Sequence, residues 1–147
     1  MYERTIHAFD AEFRALMPAF VLYSLTVRLA MCLGGEWCLS IGLEVTSGSS
    51  FCQIDANGCA TDGAGAHGNN EDCTIRVNLA GTLTATQFDV EPHVSCGFDA
   101  ISIDTNSSYC GGAGPSGVSV AAGSTFAWRS DHSVTPAGWT ICLGKMR

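Results

Sequence analysis

Basic residues are scarce in this chain: 7 Lys and Arg stand against 14 Asp and Glu in 147 residues, a net charge of −7. Nucleic acid needs a basic patch for its phosphates, so it is not expected as a partner. A cationic partner or a bound metal cation fits the balance, and a mildly acidic surface also keeps a protein soluble. There are eight cysteines but no C-x-x-C pair, which argues against zinc knuckles and thioredoxin-like redox sites. Helix-length apolar periodicity is missing after residue 36, which argues against a parallel α/β sheet. A nucleophile–base pair is missing too. The run Asp131-His132-Ser133 is not a triad, because triad members converge in space while sequence neighbours point apart. Glu91 and Asp99 could act as a glycosidase pair, but nothing in so small a chain supplies a sugar cleft. The chain is therefore not expected to be an enzyme.

What is present suits one domain with a real core. Cys32, Cys38, Cys52, Cys59, Cys73, Cys96, Cys110 and Cys142 are widely spaced. Even number and small size suit disulfides in an oxidising compartment, hence a secreted or cell-surface location. Eight cysteines allow about 105 pairings. Residues 1–35 differ from the rest. Tyr2, Ile6, Phe9, Phe13 and Leu16 form a helical stripe that Pro18 interrupts. An apolar run follows, broken only by Arg28. A signal peptide, a signal anchor or a docked helix all fit this segment. Membrane contact is expected only through residues 16–34, and only if they are not cleaved.

From about Ile41 the texture changes to short segments divided by Gly, Ser, Asn and Asp. In "CTIRVNL" Cys73, Ile75, Val77 and Leu79 alternate with polar residues. "GTLTATQF", "FDAISI", "GVSVAAG", "STFAWRS" and "GWTICLG" follow, each of strand length and rich in β-branched or aromatic residues. Phe126 and Trp128 share one strand face; so do Trp139, Ile141 and Leu143. These are core positions. Many short strands with regular turn signals mean an all-β sandwich or barrel over residues 36–147. A faint echo links "GEWCLS" near Trp37 to "GWTICLG" near Trp139.

A set of short motifs in fixed order carries a family resemblance: "CQIDANGC", "GAHGNNEDC", "FDVE", "CGFD", "YCGG", "SDHS" and "GWTICL". Together they make residues 50–143 resemble a CUB domain. The resemblance implies an antiparallel β-sandwich of jelly-roll-like topology, an extracellular setting and a role in protein recognition. It implies a disulfide between Cys96 and Cys110, whose loop closure contributes ~3 kcal/mol on the chain-entropy model. It also implies that Cys73 takes part in another bridge, with Cys52 as the partner and Cys59 as an extra candidate. Cys52, Cys59 and Cys142 remain to be paired with it, in two bridges whose arrangement stays open. Cys32 and Cys38 lie outside the resemblance.

Many CUB domains hold calcium through three acids, and the resemblance maps these onto Glu91, Asp99 and Asp131. Calcium takes hard oxygen ligands, often several carboxylates with carbonyls and water. Three crowded carboxylates without a cation would repel one another. The chain also departs from the family. "TDGAGAHGNN" replaces the usual proline-rich run, and the tyrosine that normally orients the Glu ligand is absent. His67 stands at that place and is expected either to orient Glu91 or to be an exposed loop histidine. Ser133 is a second neighbour of the site. The resemblance further implies that a lysine or arginine of another protein reaches the calcium-bound acids. A calcium-free structural module of a surface or matrix assembly, and a calcium-dependent glycan binder, are the alternatives. Asn106-Ser-Ser is an N-glycosylation sequon if the chain enters a secretory pathway.

Overall fold

The computed structural model describes residues 28–31, 37–40, 42–104 and 107–144. Twelve strands are present among them: β1 Arg28–Met31, β2 Trp37–Ser40, β3 Leu43–Ser47, β4 Gln53–Ile54, β5 Ala60–Thr61, β6 Asp72–Val77, β7 Gly81–Asp89, β8 Ala100–Ile103, β9 Ser107–Tyr109, β10 Val118–Val120, β11 Thr125–Arg129 and β12 Gly138–Gly144. No helix occurs among the described residues, and so none is long and apolar enough to cross a membrane. Within the 1–35 segment, Arg28–Met31 is a strand that pairs antiparallel with Trp37–Ser40. The helical stripe, Pro18 and the start of the apolar run lie outside the described residues, as do Cys32 and Asn106.

Two five-stranded antiparallel sheets make the rest, ordered β10-β7-β12-β5-β4 and β3-β6-β11-β8-β9. They form a β-sandwich around one core. The alternation read from the sequence explains why. In β6, Cys73, Ile75 and Val77 are buried while Asp72 and Arg76 are exposed. In β11, Phe126 and Trp128 point inward, and in β12 Trp139 and Ile141 do so. Aromatic rings bridge the two layers: Trp139 meets Phe126 at 6.4 Å and Trp128 at 6.0 Å between ring centroids. Such tilted contacts suit the ring quadrupoles and add to the apolar area buried.

Three disulfides join described residues: Cys52–Cys73, Cys59–Cys142 and Cys96–Cys110. The Cys96–Cys110 bridge agrees with the expectation, and the open pairing of the other four is thereby given. Cys52–Cys73 ties the approach to β4 in one sheet to β6 in the other. Three bridges in a small domain fit an oxidising compartment.

Register places one end of the sandwich. Arg129, the last residue of β11, pairs with Ala100, the first of β8, and with Asp72, the first of β6. Asp89, the last of β7, pairs with Gly138, the first of β12. The segments 62–71, 90–99 and 130–137 therefore meet at this end, and they carry every acid singled out above.

Candidate functional site

Glu91, Asp99 and Asp131 come together in that loop cluster, each offering a carboxylate oxygen within 4.8 Å of the others. Strand ends position them. Asp99 immediately precedes β8, Asp131 follows β11 by two residues, and Glu91 follows the buried Val90 at the end of β7. Asp99 is fully buried, while Glu91 and Asp131 are half-buried.

Backbone donors fix the cluster. Asp99 Oδ1 accepts the Asp131 N–H at 2.7 Å. Asp131 Oδ1 accepts the Ser133 N–H at 2.8 Å, with the Ser133 hydroxyl at 3.4 Å, the side-chain-to-backbone turn that Asp favours. Ser133 thus stands beside Asp131. The Asp131 carbonyl accepts the Asn70 N–H, and the Pro136 carbonyl accepts the His67 N–H, which lace the 62–71 and 130–137 segments together.

Within this trio of acids, two carboxylate oxygens are buried without a hydrogen-bond partner: Asp99 Oδ2 and Glu91 Oε2. Buried polar atoms are normally paired, so each orphan needs an account. Burial, then repulsion from Asp131 and Asp99, pushes the Glu91 carboxyl above its usual range. Burial also raises Asp99, against the Asp131 N–H that favours its charged form. Burial and mutual repulsion outweigh the nearby His67 and Arg129, which act the other way on Asp99. Hard oxygen donors with open lone pairs fit a hard divalent cation and do not suit a soft one.

His67 differs from both expectations. It is buried rather than exposed, and its Nε2 lies 3.2 Å from Asp99 Oδ2 rather than against Glu91. The contact lacks hydrogen-bond geometry, so both atoms are without a formal partner. Nδ1 is 2.9 Å from the Gly68 carbonyl. A carbonyl only accepts, so Nδ1 carries a hydrogen there, and Nε2 is the nitrogen turned to the acid. The ring packs edge-on to Trp128 at 5.0 Å.

Further residues of the site were not singled out in the sequence. Glu71 accepts the Trp128 indole N–H at 3.0 Å and the Gly68 N–H at 2.8 Å. Arg129 donates to the Cys96 carbonyl at 2.8 Å and to the Gly97 carbonyl at 3.3 Å. Asp62 accepts the Trp139 N–H at 3.1 Å, while its Oδ2 is buried without a partner. Burial pushes the Asp62 carboxyl up to about 6. In sequence each looks like an ordinary turn or strand-end charge; only the acidic entry to β6 in "NNEDC" hinted at Glu71.

No family model matches the chain, and neither a curated protein nor a solved structure does.

Proposed function

We propose that this protein is a secreted or cell-surface recognition module that binds calcium through Glu91, Asp99 and Asp131. The observation that carries the reading is the convergence of three carboxylates from separate loops, with buried oxygens of Glu91 and Asp99 left unpartnered. A divalent cation would neutralise two of the three charges and hold the 90–99 and 130–137 segments in one arrangement. The resemblance to CUB domains, with a jelly-roll-like sandwich, supports the same reading, and so do the three disulfides. Recognition would then run through the outer edge of the acids, where a lysine or arginine of another protein finds spare carboxylate oxygens.

The test is thermal unfolding of the whole chain in calcium and in chelator, beside Asp99→Asn. Extracellular calcium modules bind at ~10⁻⁴–10⁻³ M, so calcium is taken to several millimolar. At about ten times Kd the ion adds about 1.4 kcal/mol, a rise of roughly 3–6 °C for a domain of this size. Asp99→Asn keeps an acceptor for the Asp131 N–H and should abolish the rise. No rise in the unaltered protein at saturating calcium would return it to a disulfide-held structural module.

A further inference from the structure

β5 and β12 pair antiparallel, with Thr61 opposite Thr140 and Ala60 opposite Ile141. One step further along that register Cys59 stands opposite Cys142, and the two are bridged. This disulfide therefore joins residues that face each other on neighbouring strands. Their Cα atoms are 4.2 Å apart, close to the separation of about 4.5 Å that antiparallel strands give to pairs without ladder hydrogen bonds. Disulfides prefer about 5.5–6 Å. The other two bridges are not held in this way: their Cα separations are 6.2 Å for Cys52–Cys73 and 5.5 Å for Cys96–Cys110. Cys52 precedes β4, Cys96 lies in the 90–99 loop and Cys110 follows β9, so neither bridge links directly opposed strand residues. The sheet keeps Cys59 and Cys142 closer than a relaxed bridge would, and opening the bond removes that constraint.

The two cysteines also lie on the outer face of their sheet. Along β12, Trp139 and Ile141 belong to the core, so Thr140 and Cys142 point away from it. In β5, Ala60 belongs to the core, while Thr61 meets the Thr140 hydroxyl at 3.2 Å; Cys59 shares the side of Thr61. Opposite Cys142 on β7 stands the exposed Thr84, and the exposed Thr86 has its hydroxyl 4.0 Å from Cys142 Sγ. Cys142 is half-buried, and Cys59 is buried beneath it. Cys52 and Cys73 belong to the hydrophobic core, closed to a dissolved thiol. Cys96 and Cys110 are half-buried, so access alone does not set the three bridges apart; access together with the face-to-face placement does.

We propose that Cys59–Cys142 is a thiol-exchange site, opened by a dithiol in the folded protein ahead of the other two bridges. A thiolate attacks in line with the bond it breaks, on the side away from the leaving sulfur. For attack on Cys142 that side lies over β7, where Thr84 and Thr86 leave the approach open. The incoming thiolate bonds to Cys142 Sγ, and the Cys59 sulfur leaves as a thiolate that takes a proton from water. The second thiol of the dithiol then displaces Cys142 from the mixed disulfide. Two electrons and two protons pass to the bridge, and the dithiol departs as its own disulfide. β5 stays on β12, because Thr61 Oγ1 still donates to the Trp139 carbonyl at 3.0 Å and Asp62 still accepts the Trp139 N–H at 3.1 Å. The tip of the β4–β5 hairpin, residues 55–59, loses its covalent tie to β12, while Cys52–Cys73 keeps the base of the hairpin on β6. None of this depends on the calcium reading.

The test holds the whole folded chain, without denaturant, in dithiothreitol or in reduced glutathione. Samples are quenched with iodoacetamide at intervals, and each cysteine is followed by mass spectrometry. Cys59 and Cys142 should be alkylated about tenfold faster than Cys96 and Cys110, with Cys52 and Cys73 last. The trapped glutathione adduct should sit on Cys142. Thr84→Lys should speed opening by anionic glutathione about threefold and Thr84→Glu should slow it as much, with the Cys96–Cys110 rate unmoved. A bridge that opened only through global unfolding would not respond to that charge. One common rate for all three bridges, Cys96–Cys110 opening first, or rates blind to the charge at position 84 would each overturn the inference.

Discussion

His67 Nε2 and Asp99 Oδ2 face each other 3.2 Å apart with both side chains fully buried. The imidazole is a close polar neighbour of the deepest acid of the cluster, and its ring also packs edge-on to Trp128. His67→Ala would take the imidazole from beside an oxygen that already lacks a hydrogen bond and would open a gap against the indole. We expect a loss of about 1–3 kcal/mol in chelator, chiefly from the lost packing, read by denaturant unfolding. Unchanged stability would mean that the ring supports nothing at the site.

The pH dependence follows from the raised carboxyls. Asp62 stands at about 6 when folded, against 3.8 ordinarily, and Glu91 and Asp99 are shifted in the same direction. At these three groups the folded protein therefore binds protons more tightly than the unfolded chain does. The stability these groups contribute is fully present below their unfolded values and is lost as pH rises through the folded ones. In chelator, Tm should fall between about pH 4 and pH 6 on account of Asp62. Asp62→Asn should flatten that part of the profile and leave the protein more stable at pH 7. A profile unchanged by the substitution would refute the assignment.

Gly138 has a φ of +82°, and a Cβ added there would run into the Asp62 carboxylate. It opens β12 next to Trp139, whose N–H holds Asp62 Oδ1. Gly138→Ala should cost about 1–3 kcal/mol through strain and collision together. Calorimetry checks this, and a neutral result would mean the β12 entry adjusts freely.

The Cys59–Cys142 bridge spans 83 residues, the longest separation of the three. On the chain-entropy model it contributes about 4.5 kcal/mol. The paired change Cys59→Ala with Cys142→Ala should lower stability by about 2–5 kcal/mol. A smaller loss would show that the unfolded chain is already compact.

The strands that alternate strongly were legible in the sequence, because Cys73-Ile75-Val77 and Phe126-Trp128 each put one face toward the core. The short pairs β4 and β5 were not, since Gln53–Ile54 and Ala60–Thr61 are each two residues long and carry no period. Glu91, Asp99 and Asp131 were picked out through the resemblance of the motifs around them and not through any local period. Their convergence depends on register between distant strands, which no local pattern encodes. His67 was misplaced for a related reason: its neighbours in "GAHGNN" look solvated, and only packing of the 62–71 segment on Trp128 buries it. The pairing of Cys52, Cys59, Cys73 and Cys142 likewise waits on which strands end up side by side.

The bridges Cys52–Cys73 and Cys59–Cys142 interleave along the chain. Backbone cleavage anywhere between Cys52 and Cys142 therefore leaves the fragments covalently joined. A protease that nicks an exposed loop, such as the one around Val94, would not release a piece. The damage would be invisible on a non-reducing gel and would separate only after the thiols are reduced.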